Sequence, residues 1–334
     1  MSIENRDCHS ETLLKICARY GLGKPEDEPA PLKGGFLHKM YSLFTDKGKY
    51  AVKLLNPFIM QRETAAANYR TAEELEAVLE QNGIPIIPAL KFGGRKMQVL
   101  NGQFFYLYEW YGGKALENRE VTEYHCSAIG GVLAHIHTLD LREEPCSHDE
   151  INVDWEKFLD PLSEKNREIY FLLKENIPTL YRMQEKGNAA IKRLPQVTAI
   201  CHNDMDCKNV LWLGRDLRII DLECLSRSNP FAELYETALS WSGLYGRDFD
   251  PKRFEAFIRS YAEAGGRLPP DGEDIYNANV GRLEWLEYSI KRALGIDCLE
   301  EEQSVGVSET KNTIEDINYY LGVKESIIDS LKRL

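Results

Sequence analysis

The sequence contains no run of 18 uncharged apolar residues, so it predicts no membrane-spanning helix and no membrane partner. Residues 1–11 are polar and acidic and lack the apolar core of a secretion signal. None of the eight cysteines belongs to a Cys-x-x-Cys pair. These absences lead us to expect a cytoplasmic protein whose thiols are reduced.

Positively charged residues are in the minority. The sequence has 41 Lys and Arg residues and 53 Asp and Glu residues, which gives a net charge of −12. A protein that binds nucleic-acid phosphates needs a basic face, so no nucleic-acid partner is expected. The acidic balance is compatible with a cationic small-molecule partner. The sequence leaves the oligomeric state open.

The composition is that of a globular protein, with 43% hydrophobic and 28% charged residues. The chain has 334 residues. Beyond about 250–300 residues a single core usually divides. We therefore expect two lobes.

The first 110 residues have the pattern of an antiparallel sheet with one long helix. Gly-containing turns separate short β-prone runs, whereas a stretch rich in Ala, Glu and Leu that ends at Gly83 is typical of a helix. The predicted elements are a helix at 11–20, strands at 36–45 and 50–55, a helix at 62–81, and strands at 96–100 and 103–110.

After Gly112 and Gly113 the pattern becomes mainly helical. The predicted elements are helices at 122–138, at 154–185 in one or two pieces, at 251–264, 273–293 and 310–333, and a β-hairpin at 210–220. The predicted fold class is therefore α+β, with an N-terminal lobe at residues 1–111 and a helical C-terminal lobe at residues 112–334.

One segment carries a chemical motif. His202, Asp204 and Asn209 form the pattern His-x-Asp-x-x-x-x-Asn, and Asp221 follows Asn209 by twelve residues at the end of an apolar run. This spacing matches the kinase catalytic loop, in which the Asp accepts a proton from the attacking hydroxyl while the Asn and the later Asp hold Mg²⁺. Phosphoryl transfer gains mostly from positioning and charge neutralisation, so it needs such oxygen ligands.

Asp204 is therefore the candidate catalytic base, and Asn209 and Asp221 are the candidate metal ligands. His202 belongs to the same catalytic loop, where we expect it to bind the loop backbone rather than to act as the base. The competing interpretation is that Asp204 and Asn209 are only turn residues, since Asp and Asn favour turns.

A second match lies in the N-terminal part. Gly34 and Gly35 open the first hairpin, where a glycine-containing loop over phosphates is expected. Lys53 lies in a run that resembles the Val-Ala-Ile-Lys strand of kinases, and it would contact the α- and β-phosphates of a nucleotide. Its expected carboxylate partner is Glu73 or Glu74 on the long predicted helix, between which the sequence does not decide.

With these motifs the chain resembles the aminoglycoside phosphotransferase and choline kinase family of small-molecule kinases, which have the bilobal protein-kinase-like fold. The resemblance covers about residues 30–295. Within the family, the chain looks like the bacterial branch that includes spore-coat kinase-like proteins. It rests on Gly34-Gly35, Lys53, Gly83-Ile84-Pro85, Tyr108 to Gly113, Leu133 to His137, the set His202, Asp204 and Asn209, and Asp221-Leu222-Glu223.

The resemblance implies a phosphotransferase that uses ATP or GTP with Mg²⁺ and phosphorylates a hydroxyl of a small metabolite or amine, of the aminoglycoside or choline type. It places the adenine at the linker formed by Glu109, Trp110 and Tyr111. It also adds a carboxylate two residues past the metal-binding Asp, which is Glu223. The identity of the acceptor and the choice between ATP and GTP stay open.

Aromatic residues and carboxylates are dense in the C-terminal part, and a Trp or Tyr face beside a carboxylate can bind a cation. The candidate acceptor-site residues are Glu223, Trp241, Tyr245 and Trp285. Core packing is the competing interpretation for each of the aromatic residues.

The sequence also departs from protein kinases. Asp221 is followed by Leu222 and Glu223 instead of Phe-Gly, and Asn229 comes too soon after it for a long activation segment. This favours a small-molecule acceptor over a protein acceptor. The alternative function is that of a non-catalytic kinase-fold protein that binds a ligand or serves as a structural component of the spore-coat type. The presence of all core motif positions counts against it.

Overall fold

The computed structural model describes residues 3–32, 38–145 and 150–334, without the side chains of residues 3–8 and 301. The helices are α1 (Ile3–Tyr20), α2 (Pro57–Met60), α3 (Ala65–Gln81), α4 (Glu123–Leu139), α5 (Leu159–Lys165), α6 (Arg167–Ile191), α7 (Pro230–Trp241), α8 (Pro251–Glu263), α9 (Gly272–Ala278), α10 (Gly281–Ala293), α11 (Gln303–Gly322) and α12 (Lys324–Lys332). The strands are β1 (Ala30–Pro31), β2 (Lys39–Thr45), β3 (Gly48–Leu54), β4 (Gln98–Leu100), β5 (Gln103–Glu109), β6 (Ala199–Cys201), β7 (Val210–Leu213), β8 (Asp216–Ile219) and β9 (Ser226–Ser228). None of the helices within the described ranges is long and apolar enough to cross a membrane.

The chain divides into two compact units. The first unit comprises Met1–Leu116 and Lys208–Leu225, and the second comprises Glu117–Cys207 and Ser226–Leu334. The lobes predicted at 1–111 and 112–334 differ from this division chiefly in the segment Lys208–Leu225.

The hairpin of β7 and β8 explains why that segment belongs to the first unit. Trp212 in β7 exchanges two backbone hydrogen bonds with Lys114, at 2.8 and 3.0 Å. Ile219 in β8 donates its N–H to the Pro85 carbonyl at 2.7 Å and accepts from the Ile87 N–H at 2.9 Å. Backbone pairing of this kind depends on residues far apart in the chain, which a local sequence pattern does not record.

The sheet of the first unit is antiparallel, and its described strands follow the order β1-β2-β3-β5-β4. β2 and β3 pair along their full length, with Lys39 opposite Leu54 at one end. Between β4 and β5, Asn101 has φ 52° and Gly102 has φ 83°. A type I′ turn requires these left-handed conformations, and Asn and Gly are the residues that adopt them most readily. The predicted antiparallel sheet with its Asn-Gly hairpin is confirmed.

Both faces of this sheet are covered because neighbouring residues of a strand point to opposite sides. Phe105 belongs to the core cluster that contains Leu13 and Ile16 of α1. The next residue, Tyr106, belongs to a separate cluster that contains Tyr69 of α3. The sheet therefore lies between α1 and α3, and the last three residues of its central strand β3, Val52 to Leu54, are buried.

The second unit is helical, and its core brings together α6, α10 and α11 through residues such as Leu173, Leu286 and Ile314. The helix predicted at 273–293 is two helices, α9 and α10, because the chain leaves the helical conformation at Asn279. At this break the Val280 side chain packs where Gly187 of α6 has no side chain, 2.1 Å from the position that a Cβ would take. The prediction at 310–333 is likewise two helices, α11 and α12.

Helix α7 is absent from the sequence-based predictions, although its start carries clear signals. The Asn229 side chain accepts a hydrogen bond from the Phe231 N–H at 3.0 Å, and Pro230 occupies the first helical position. An Asn cap followed by Pro is a common helix start.

One close approach between helices generates a stability prediction. A Cβ on Gly130 of α4 would lie 2.3 Å from the Phe257 carbonyl oxygen of α8, whereas a Cβ on Gly131 would lie 3.5 Å from the Ser260 hydroxyl. Gly130→Ala is expected to lower the free energy of unfolding by about 2 kcal/mol, because the α8 backbone must move. Gly131→Ala is the matched control and is expected to be neutral or to add about 0.5 kcal/mol, since Ala favours helix. Urea denaturation followed by circular dichroism measures both, and equal stabilities of the two variants would contradict the close approach.

Candidate active site

The β7–β8 hairpin holds the two predicted metal ligands next to each other in the first unit. Asn209 directly precedes β7, and Asp221 comes two residues after β8 ends at Ile219. The Ile220 N–H donates to the Asn209 carbonyl at 2.9 Å, which extends the strand pairing to the base of the hairpin. Asp221 itself has φ 63° and ψ 53°, a left-handed conformation that Asp tolerates better than most residues. The hairpin thus presents an amide and a carboxylate from adjacent backbone positions.

Lys53 meets Asp221 and Glu223 inside the same unit. Its ammonium lies 2.5 Å from Asp221 Oδ1 and 2.5 Å from Glu223 Oε2, and the residue is 5% exposed. Burial alone would lower the pKa of Lys53, but the two carboxylates outweigh burial and raise it. Lys53 is therefore a cation at neutral pH.

The structure corrects the predicted partner of Lys53. Glu73 Oε1 accepts hydrogen bonds from the Met97 N–H at 3.0 Å and from the Tyr106 hydroxyl at 2.9 Å. Glu74 is exposed on α3. In this structure the ammonium is paired with the two carboxylates that follow the hairpin and not with Glu73 or Glu74.

The predicted adenine linker follows β5 in the first unit. The Trp110 N–H donates to the Lys49 carbonyl at 3.0 Å, and the Trp110 ring packs edge-on against Phe44 at 5.1 Å. Tyr111 lies under the Arg218 guanidinium at 5.6 Å. Glu109 ends β5 with an exposed side chain. The linker is thus fixed to the sheet and to the hairpin.

The predicted phosphate loop at Gly34 and Gly35 lies outside the described residues, so its prediction stands on the sequence alone.

The catalytic-loop candidates Asp204 and His202 lie in the second unit. His202 is fully buried, and its Nδ1 accepts a hydrogen bond from the Asp204 N–H at 3.3 Å. The intervening Asn203 has φ 63°. Asp204 is half-buried. His202 thus binds the loop backbone, as predicted, and the left-handed residue between the two turns the chain so that this bond can form.

A buried carboxylate of α7 supports this loop. Glu233 Oε1 accepts the Asn203 N–H at 2.5 Å, and Glu233 Oε2 lies 2.7 Å from His137 Nε2. The other ring nitrogen of His137, Nδ1, lies 2.8 Å from the Tyr261 hydroxyl. Sequence reasoning did not select Glu233 for this role. Its position four residues after the cap Asn229, in the first turn of a helix, was the available signal, because that location favours an anion.

Trp241, at the other end of α7, has a different role from the one predicted. It is completely buried, and its Nε1 donates to the Met205 carbonyl at 2.8 Å. Trp241 is therefore a core residue that holds the catalytic loop and not a wall of an acceptor site. Glu223, another of the four acceptor candidates, is paired with Lys53 in the first unit.

The remaining acceptor candidates, Tyr245 and Trp285, converge on one cavity of about 430 Å³ in the second unit. Tyr245 lines it directly, and Trp285 Nε1 donates to Glu309 Oε2 at 3.3 Å, a residue of the same lining. The Arg282 guanidinium lies 3.4 Å from the centre of the Tyr245 ring. One face of Tyr245 is thus already covered by a cation of the protein, so the carboxylates are the groups that this cavity offers to a cationic ligand.

His137, Cys201 and Glu233 bring ligand atoms within 4.8 Å of one another, and all three side chains are buried. Burial raises the pKa of the Cys201 thiol well above its usual value, so the sulfur keeps its proton. Cys201 Sγ donates to the Ser228 carbonyl at 3.6 Å. Hydrogen bonds join these side chains to one another and to the Asn203 N–H, so the cluster supports the loop.

The buried carboxylate makes a pH-dependent prediction. Burial alone would raise the pKa of Glu233, but hydrogen bonds from His137 and the Asn203 N–H, together with nearby His202, lower it below its usual 4.5. A lowered pKa in the folded chain stabilises it above the unfolded pKa, and this stabilisation is lost as the pH falls through the folded value.

Glu233→Gln is therefore expected to lower the free energy of unfolding by about 3 kcal/mol at pH 7, because it breaks a buried charged network. The difference from the wild type should narrow as the pH falls below about 4.5. Denaturant titrations at several pH values measure this. Glu263→Gln, at an exposed position of α8, is the control and should change stability by less than about 0.5 kcal/mol. If the difference in the free energy of unfolding between Glu233→Gln and the wild type stayed constant down to pH 3, the lowered pKa of Glu233 would be contradicted.

Solved structures share this fold at low sequence identity. Spectinomycin phosphotransferase, crystallised with ADP and spectinomycin, is 14% identical with a TM-score of 0.70, over 93% of this chain and 98% of that chain. A choline/ethanolamine kinase family protein from Mesorhizobium loti is 14% identical with a TM-score of 0.60, over 97% and 99%. An ethanolamine kinase from Plasmodium vivax is 15% identical with a TM-score of 0.57, over 86% and 81%. The predicted α+β, protein-kinase-like fold is confirmed.

No curated protein matches the chain significantly in sequence. A family model described as the phosphotransferase enzyme family, APH, matches residues 28–272, which is more than half of the chain. The match spans the Lys53 strand, the catalytic loop and the β7–β8 hairpin. The predicted enzyme class, a small-molecule kinase, is confirmed, and the chain belongs to the phosphotransferase enzyme family.

Proposed function

We propose that this enzyme transfers the γ-phosphate of ATP or GTP, in the presence of Mg²⁺, to a hydroxyl group of a small, amine-bearing metabolite. The observation that carries the proposal is the hairpin geometry. It pairs the backbone of Asn209 with that of Ile220, the residue before Asp221, in the same compact unit as a buried, cationic Lys53. Phosphoryl transfer needs this combination of oxygen ligands for a metal and a fixed positive charge for phosphates.

The donor set of the hairpin fits magnesium. Mg²⁺ prefers oxygen ligands and is usually held by one or two protein groups while keeping several waters. Asn209 supplies an amide oxygen and Asp221 a carboxylate, and neither is a soft sulfur or imidazole ligand. When bound there, the ion would neutralise charge on the phosphates.

Asp204 is proposed to orient the acceptor hydroxyl and to take its proton. The hydroxyl oxygen forms a bond to the γ-phosphorus while the bond from that phosphorus to the β,γ-bridging oxygen breaks. The acceptor proton moves to the Asp204 carboxylate and the nucleoside diphosphate leaves. The loop that carries Asp204 is held by Glu233, His202 and Trp241, which keeps the carboxylate in place without reorganisation.

The nucleotide is proposed to contact Lys53 through its phosphates, with Gly34 and Gly35 over the phosphates and the base at Glu109, Trp110 and Tyr111. The sheet supports this placement, because it buries Lys53 and anchors the linker at Trp110. A cytoplasmic location is also proposed, because it would give the enzyme access to the ATP and GTP pool.

The acceptor is proposed to bind in the 430 Å³ cavity of the second unit. Glu309, Asn312 and Asp316 line it from one face of α11, at spacings of three and four residues that place them in a row. Arg247 opposes this charge but is paired with Asp316 at 3.0 Å and with Glu315 at 2.6 Å. Glu309 is the carboxylate that remains for an acceptor amine, and Trp285 Nε1 orients it.

The role of Asp204 is tested by replacement. Asp204→Asn is expected to lower kcat by about 10²–10⁴-fold, because it removes the proton acceptor, and to leave Mg-nucleotide affinity within about threefold. Thermal-shift screening with Mg-ATP, Mg-GTP and a panel of amino alcohols and aminoglycosides would first identify the substrates. Asp216→Asn, at an exposed position of β8, is the control and should keep full turnover. Unchanged turnover in Asp204→Asn would refute the assignment, and a wild-type protein that binds no Mg-nucleotide would favour a non-catalytic role.

The acceptor cavity is tested separately. Glu309→Gln is expected to raise KM for a cationic acceptor about tenfold with little change in the KM for nucleotide, since a hydrogen-bonded charge contributes about 1.5–3 kcal/mol. The control is Glu325→Gln on α12, where the side chain is exposed and outside the cavity lining. Equal effects of both variants on the acceptor KM would place the acceptor elsewhere.

A further inference from the structure

Glu223 has both carboxylate oxygens bonded within the first unit. Oε2 accepts from the Lys53 ammonium at 2.5 Å, and Oε1 lies 3.1 Å from His38 Nε2. Its side chain is 16% exposed, whereas that of Asp221 is 32% exposed. A carboxylate with both oxygens occupied by fixed donors is a poor ligand for a metal or a substrate but a good anchor for a lysine.

The hydrogen bonds of His38 indicate the tautomer of its neutral ring. Its Nδ1 accepts a hydrogen bond from the Asn56 N–H at 2.9 Å, so this nitrogen carries no proton. The proton of the neutral ring then lies on Nε2, which donates to Glu223 and also lies 3.2 Å from the Tyr69 hydroxyl. His38 is 5% exposed and cannot rotate freely. Glu223 is thus held by a donor that is itself fixed to the backbone.

Asp221 is arranged differently. Its Oδ1 is bonded to Lys53, and its side chain is twice as exposed as that of Glu223, 32% against 16%. Together with the Ile220–Asn209 backbone bond, this leaves Asp221 as the carboxylate able to exchange the ammonium for a metal ion. Lys53 therefore has two different partners: Glu223 is also held by His38, whereas Asp221 is more exposed.

Helix α3 contributes no carboxylate to this cluster. Glu73 is bonded to Met97 and Tyr106, and the buried Glu76 is paired with Lys96 at 3.0 Å. What α3 does supply is the Tyr69 hydroxyl beside His38.

We propose that Glu223 is the positioning residue of Lys53, in place of a helix glutamate. It would hold the lysine in place when Asp221 binds Mg²⁺. This inference rests on the proposed function, since it assigns Lys53 to the phosphates of a nucleotide. Its consequence is that the strength of nucleotide binding depends on Glu223, His38 and Lys53 as one connected set.

The test is calorimetric titration of the full-length protein with the non-hydrolysable analogue AMP-PNP in MgCl₂. Glu223→Gln is expected to weaken binding about tenfold, the loss typical of a charged hydrogen bond. Glu73→Gln and Glu74→Gln are the matched controls on α3 and are expected to stay within twofold. In the Lys53→Met background, adding Glu223→Gln should change the affinity by less than twofold, because the residue acts through the lysine.

Three results would overturn the inference. The first is unchanged affinity in Glu223→Gln, the second is a tenfold loss in Glu73→Gln or Glu74→Gln, and the third is a Glu223→Gln loss of equal size with and without Lys53. Absence of binding by the wild type would instead refute the proposed function and this inference with it. If Glu223→Gln does not fold by circular dichroism, His38→Gln replaces it, with an expected loss of about threefold that must again require Lys53.

Discussion

A lysine ammonium buried inside a sheet requires anions close by, because moving an unpaired charge out of water is very unfavourable. Lys53 lies on β3, between α1 on one face of the sheet and α3 on the other, and no carboxylate of its own strand is near it. The anions come from 168 and 170 residues further along the chain. The fold must therefore bring the β7–β8 hairpin back to the sheet, and the hydrogen bonds of Ile219 and Trp212 do so.

The second unit meets a related requirement with a carboxylate instead of an ammonium. Glu233 is buried beneath a loop whose backbone contains a left-handed Asn203, and it accepts the N–H that this conformation exposes. A strained loop persists only when its surroundings determine it from several sides. Here His202 bonds one peptide, Glu233 another and Trp241 a third, so that Asp204 is presented from a rigid support.

The predictable part of the molecule is the part encoded in local patterns. The Asn101-Gly102 turn, the β7–β8 hairpin and the spacing of His202, Asp204 and Asn209 each depend on a few consecutive residues, and the structure contains the turn, the hairpin and the loop bond of His202. Contacts between residues that are far apart in the chain leave no local sequence pattern. The choice of Glu223 over Glu73 for Lys53 depends on where a distant hairpin docks. The burial of Trp241 against Met205 depends on which face of α7 packs on the loop that carries Asp204. A high density of aromatic residues in the sequence does not reveal that face.

The discontinuity of the first unit has a consequence for synthesis of the protein. A ribosome that has released only the first 116 residues has exposed the sheet and α1 but none of the acids that neutralise Lys53. That nascent sheet carries an unmatched charge in its interior until residues 208–225 emerge. The N-terminal unit therefore completes its folding only after residues 117–207 of the other unit have been translated, although domains generally fold in the order of synthesis. A fragment that ends before the hairpin would be a poor substitute for the intact unit, and gene fusions or truncations of this enzyme should respect that dependence.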